Sequence, residues 1–125
     1  MRLLLDSHVV VWWAVYPGRL TPAVRDAIRD PANGVHLSAA SIWELGLKIA
    51  LGKLRLPADY ADRLLSDGFE PLSVTASHAN RAMTLPAIHG DPFDRMLVAQ
   101  ALEEGLVLVT ADRNIARYDV PVMET

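Results

Sequence analysis

Cysteine is absent from the 125 residues. That excludes a disulfide framework, a thiol nucleophile and a thiolate metal site. No apolar run approaches the ~18–20 residues of a membrane span; the longest, Val9 to Val15, is far shorter and follows Asp6 and His8. The start, Met1-Arg2-Leu3-Leu4-Leu5-Asp6, lacks a secretory signal's long apolar region and small-residue cleavage site. The expectation is a cytosolic protein with no membrane partner. Repeats, low-complexity tracts and linkers long enough to divide domains are also missing, so residues 1–125 read as a single domain. Basic charge is not in excess: 12 Lys and Arg against 15 Asp and Glu leave a net charge of −3. A nucleic-acid substrate would therefore need a local basic patch to offset a general repulsion.

Hydrophobic residues, at 51%, are ample for one core. The pattern along the chain alternates short apolar strands with helices. Arg2 to Leu5 reads as a buried strand, and His8 to Tyr16 as a helix stopped by Pro17-Gly18. Thr21 caps a second helix with Pro22 at its first position, and Val35 to Ser38 reads as a strand. Ala39 to Leu51 is a helix apolar nearly all round. Its polar residues Ser41, Glu44 and Lys48 form a narrow stripe, so burial on more than one side is expected, by the core and by another subunit.

Ala58 to Ser66 is a short helix, and Phe69 to Val74 a strand that Pro71 assigns to an edge. Thr75 or Ser77 caps a helix through Met83. Leu106 to Thr110 is the clearest strand; a short helix from Arg113 to Arg117 and an edge strand from Val120 to Met123 follow. Strands separated by helices imply an α/β fold: a three-layer α/β/α sandwich on a mostly parallel sheet of four or five strands.

The most informative stretch is His89-Gly90-Asp91-Pro92-Phe93-Asp94-Arg95-Met96-Leu97. Pro92 suits the first position of a helix and Asp91 the N-cap, with Asp94 at the third position in a capping-box-like arrangement. The helix runs to Glu104 before Gly105. Asp6, Glu44 and Asp112 each follow the carboxyl end of a strand, the edge where open α/β sheets bind ligands. Asp94 is harder to place, since a helix leading into a strand normally starts at the opposite edge or must be long enough to reach back, and periodicity alone does not settle which.

Each acid has an ordinary reading: Asp6 and Asp112 as caps, Glu44 paired with Lys48, Asp94 as a first-turn acid. Several at one mouth would repel unless a cation lay between them. An oxygen-only cluster suits Mg²⁺ or Mn²⁺. The four histidines offer no pair at ligand spacing. His8 reads as a first-turn helix contact, and His36, His78 and His89 have no partner at useful spacing. Trp12, Trp13 and Trp43 are expected in the core or an interface.

Four segments together resemble the PIN-domain ribonucleases, specifically VapC-type toxins of prokaryotic toxin–antitoxin systems: LLLDSHVVVWW (3–13), LSAASIWELGLKIALGKLRLP (37–57), DPFDRMLVAQA (91–101) and LVTADRNI (108–115). They occur in the family's order and span most of the chain. The resemblance implies that the family's catalytic acids fall on Asp6, Glu44, Asp94 and Asp112, with Asp6, Asp94 and Asp112 as metal ligands. Asp91, Thr110 and Ser7 would support them, and the family's chain path would bring Asp94 to the mouth. It implies an Mg²⁺- or Mn²⁺-dependent endoribonuclease whose products carry a 5′-phosphate and a 3′-hydroxyl. A cognate antitoxin would neutralise it, and a homodimer is expected.

Arg95, Lys48 and Arg113 are the nearest cations by sequence and candidates for RNA phosphate, with pairing to a neighbouring acid as the alternative. The competing account is a catalytically silent PIN-like module that binds RNA or protein. A small metal-dependent phosphatase fits less well, since no DxD motif is present.

Overall fold

A computed structural model describes all residues, 1–125. In chain order the elements are β1 (Arg2–Leu5), α1 (Ser7–Val15), α2 (Pro22–Arg29), β2 (Gly34–Ser38), α3 (Ala39–Ala50), α4 (Tyr60–Ser66), β3 (Glu70–Leu72), α5 (Ala76–Thr84), α6 (Pro92–Glu104), β4 (Val107–Thr110) and β5 (Val122–Glu124), with 3₁₀ turns at Pro17–Arg19 and Ile115–Arg117. The expected helix from Arg113 to Arg117 is only the second of those turns.

The five strands form one sheet in the order β3-β2-β1-β4-β5, and every neighbouring pair is parallel. β1 is central and buried on both faces. Leu3 and Leu5 pack with α1, α2 and α4, while Leu4, one residue out of phase, packs with Leu97, Val98 and Ala101 of α6. This is the three-layer α/β/α arrangement. The strand containing Pro71 is an edge, as a residue without an N–H requires. No helix is long and apolar enough to cross a membrane.

Two elements depart from expectation. The helix α3 turns its polar stripe inward: Ser41 and Glu44 are buried with Ala40 and Leu45, whereas Trp43, Leu47 and Leu51 stand in solvent. Trp43 is 65% exposed, so it is not core; its indole meets the Phe93 ring edge-on at 5.3 Å. Trp12 and Trp13 are partly buried against the core.

The second departure is the path of α6. A crossover helix between parallel strands must run against them to return the chain. Its start therefore lies at the carboxyl edge of the sheet, where the family resemblance puts it and where periodicity alone could not place it, and its end at the opposite edge. There the Arg2 guanidinium donates to the Glu104 carbonyl at 2.7 Å.

Candidate metal centre

The ends of β1 and β4 and the start of α6 converge on one pocket of acids. Asp6 follows β1 directly and continues the ladder, its N–H donating to the Val109 carbonyl at 3.0 Å. Its side chain caps α1: Oδ1 accepts from the Val9 N–H at 2.9 Å. Oδ2 accepts from the Thr110 hydroxyl, the last side chain of β4. That hydroxyl oxygen also accepts the Asp112 N–H at 2.9 Å, so Thr110 sets the spacing between two acids. Asp112 Oδ1 accepts from the Asn114 N–H at 2.8 Å, folding the loop back on itself. Ser7, in the first turn of α1, is buried beside Asp6.

Asp91 caps α6 as expected, accepting the Phe93 and Asp94 N–H groups at 2.9 and 3.1 Å. Asp94 does not complete a capping box. Its Oδ2 turns to His89 Nε2, 3.3 Å away.

His89 was missed in the sequence. It joins Asp94 and Asp112 in a group whose donor atoms all lie within 4.8 Å of one another. Its other ring nitrogen, Nδ1, lies 2.8 Å from the Tyr118 hydroxyl, which accepts from Arg95 Nη1 at 3.2 Å. The phenol oxygen has two lone pairs, so besides Arg95 it can accept an Nδ1–H; that tautomer leaves the Nε2 lone pair facing Asp94 and Asp112, as ligation of an ion requires. The short step from His89 to Asp94 was a usable signal. Tyr118, 29 residues from His89 in the chain, gave none.

Arg95, a candidate for RNA phosphate, is instead consumed internally. Besides Tyr118 it donates to the carbonyls of Ala82, Leu85 and Pro86 at 2.8–3.1 Å. It holds the loop that carries His89. Two other histidines also have partners that the sequence did not disclose. His78 accepts from the Thr75 N–H and meets Glu104 at 2.8 Å, and His36 bridges the Leu3 carbonyl and Glu70.

Glu44 stands apart from the tight cluster. Its Oε2 pairs with Lys48 at 3.1 Å, while Oε1 is buried without a hydrogen-bond partner. It borders a groove shared with Asp91. Arg113 is exposed on the loop after Asp112.

The electrostatics register how close these acids are. Burial, then the charges of Asp91, Asp112 and Asp6, push the Asp94 carboxyl up to about 7, against the pull of His89. Burial also raises Asp6, outweighing its bonds to Thr110 and Val9, and Asp112 adds to the rise. Carboxylates that repel in this way are stabilised by a cation between them. The donor set of Asp94, Asp112 and one imidazole, with Asp6 adjoining, fits a divalent ion that takes oxygen and nitrogen donors. The orphaned Glu44 Oε1 is a further unused acceptor.

The PIN domain family model matches residues 3–121. Ribonuclease VapC22 of Mycobacterium tuberculosis is 35% identical over 122 residues, covering 95% of this chain and 93% of the relative. Two solved structures share the fold. VapBC2 from Rickettsia felis, bound to a DNA fragment from its promoter, aligns with a TM-score of 0.69 at 16% identity, covering 100% of this chain and 99% of that one. DNA-bound VapBC from Salmonella typhimurium aligns with a TM-score of 0.67 at 17% identity, covering 99% and 98%. Matched from its first strand to beyond its fourth, and by a relative of nearly its own length, the chain belongs to the PIN-domain family.

Proposed function

We propose that the chain is a divalent-metal-dependent endoribonuclease, a toxin held in check by a cognate antitoxin. The observation that carries this reading is the convergence of Asp94, Asp112 and His89 donor atoms within 4.8 Å, beside a buried Asp6. In this reading Asp6, Asp94 and Asp112 hold the ion, with Mg²⁺ resident and Mn²⁺ able to replace it. When bound, such an ion supplies Lewis acidity toward water and phosphate oxygens. Thr110 fixes Asp6, and Asp91 fixes the start of the helix that presents Asp94. The free Oε1 of Glu44 orients the attacking water and takes up its proton, with Lys48 holding the other oxygen. The scissile phosphodiester is opened in line, leaving a 5′-phosphate and a 3′-hydroxyl.

The kinship with a VapC ribonuclease supports RNA as substrate, and likeness to VapBC assemblies supports an antitoxin partner. The exposed apolar face of α3, with Trp43, Leu47 and Leu51, supports a protein partner or a homodimer. A cytosolic location fits both.

The test is purified protein with total RNA and Mn²⁺, alongside Asp94→Asn, with the cut ends mapped. Cleavage that leaves 5′-phosphates and disappears in the variant is expected. RNA binding with no cleavage by the parent protein would favour a silent binding module.

A further inference from the structure

The metal centre repels the substrate proposed for it, and the chain as a whole carries a net charge of −3. Affinity for a polyanion must then come from a local group of free cations. Most arginines are not free: they are held by backbone carbonyls, carboxylates or Asn114. Lys53 and Arg19, neither of them paired with a carboxylate, line a single cleft together with Lys48, whose ammonium is already paired with Glu44.

This cleft lies between α1 and the second half of α3 and has a volume of about 370 Å³. No carboxylate lines it. Its wall includes Trp12 and Tyr16, the latter 57% exposed. The Arg19 guanidinium sits 5.5 Å from the Tyr16 ring centre. Ser7, the neighbour of Asp6, is among the residues that line the cleft. Lys48 and Lys53 also line the adjoining groove that contains Glu44 and Asp91. A strand laid along these two depressions passes from acids to cations without leaving the surface.

We propose that this cleft is the nucleotide subsite of the enzyme and grips the RNA that flanks the cut phosphodiester. Lys53 and Arg19 take phosphate oxygens, and Trp12 and Tyr16 offer ring faces to an unpaired base. Cations beside aromatic faces are how single strands are held without base-edge readout. The apolar groove on the other side of α3, lined by Trp43, Val74, Phe93 and Met96, carries no charge and suits a protein instead. The assignment rests on the nuclease reading.

The test compares Arg19→Ala/Lys53→Ala and Tyr16→Ala with Arg55→Ala, an exposed cation outside the cleft. Cleavage is followed with Mn²⁺. Anisotropy of a 5′-fluorescein-labelled single-stranded RNA is measured in an Asp94→Asn background to prevent cutting. The double variant should bind about tenfold or more weakly, with KM raised more than kcat is lowered. Its salt dependence should flatten by roughly 0.7 for each phosphate that is no longer neutralised. Tyr16→Ala should weaken binding about tenfold with the slope retained, and Arg55→Ala should do neither. The Mn²⁺-induced rise in Tm should persist in all three.

A parent protein that cuts RNA, with a double variant no worse than Arg55→Ala, overturns the cleft and leaves the nuclease reading standing. A parent that binds Mn²⁺ but neither binds nor cuts RNA overturns that reading and the cleft with it.

Discussion

Asp94 is where chemistry and stability pull in opposite directions. Its carboxyl is raised from 3.8 to about 7 by burial and by its acidic neighbours. A group whose native pKa lies above its unfolded value binds its proton more tightly when folded. It leaves the fold unpenalised below about 4 and costs stability progressively as pH rises through 7. The metal-free protein should therefore lose Tm on going from pH 5 to pH 8 by more than Asp94→Asn does. At pH 8 the variant should melt higher than the parent, by a few degrees for a difference of ~1 kcal/mol. Calorimetry across that range checks both. A second test concerns Tyr118, whose hydroxyl serves His89 and Arg95 at once. Tyr118→Phe should weaken Mn²⁺ binding by roughly tenfold, the usual effect of losing a hydrogen bond behind a ligand. Titration calorimetry reads it directly, and a fall in Tm with unchanged affinity would reduce the tyrosine to packing.

At the scale of elements, the start of α6 shows what local chemistry discloses. Asp91 at the cap and Pro92 at the first position were legible because capping depends only on nearby residues. Asp91→Ala should cost about 1–2 kcal/mol in chemical denaturation and Asp91→Asn much less, since the amide oxygen still accepts the Phe93 and Asp94 N–H groups. The strand-and-helix order and the edge strand at Pro71 were legible for the same local reason. What remained hidden depended on distant partners. Which residue meets the Tyr118 hydroxyl, and that Arg95 is consumed by carbonyls, are set by the packing of one loop. The inverted face of α3 was hidden as well. Its buried Ser41 and Glu44 contradict the rule that polar stripes face water, and that contradiction is itself a mark of a functional side. The position of Asp94 needed only the return path of a crossover helix, a constraint of topology that periodicity does not contain.

For the molecule as a whole, the proposed function couples the charge cluster to the fold through a cation. An ion that binds only the folded state stabilises it by mass action, about 2.7 kcal/mol at a hundred times its Kd. Millimolar Mn²⁺ or Mg²⁺ should raise Tm, EDTA should reverse the rise, and Asp94→Asn should abolish it. An unchanged melting curve under these conditions would count against any ion at this pocket.

The central strand adds a consequence in time. β1 pairs with β4 through Leu3↔Val107, Leu4↔Leu108 and Leu5↔Val109, so Asp6 meets Thr110 and Asp112 only after residues more than a hundred positions downstream have docked beside it. While the ribosome is still threading out the middle of the chain, Asp6 is a solitary carboxylate whose partners have yet to be made. A growing polypeptide of this design has no assembled pocket until its fourth strand slots home beside the first.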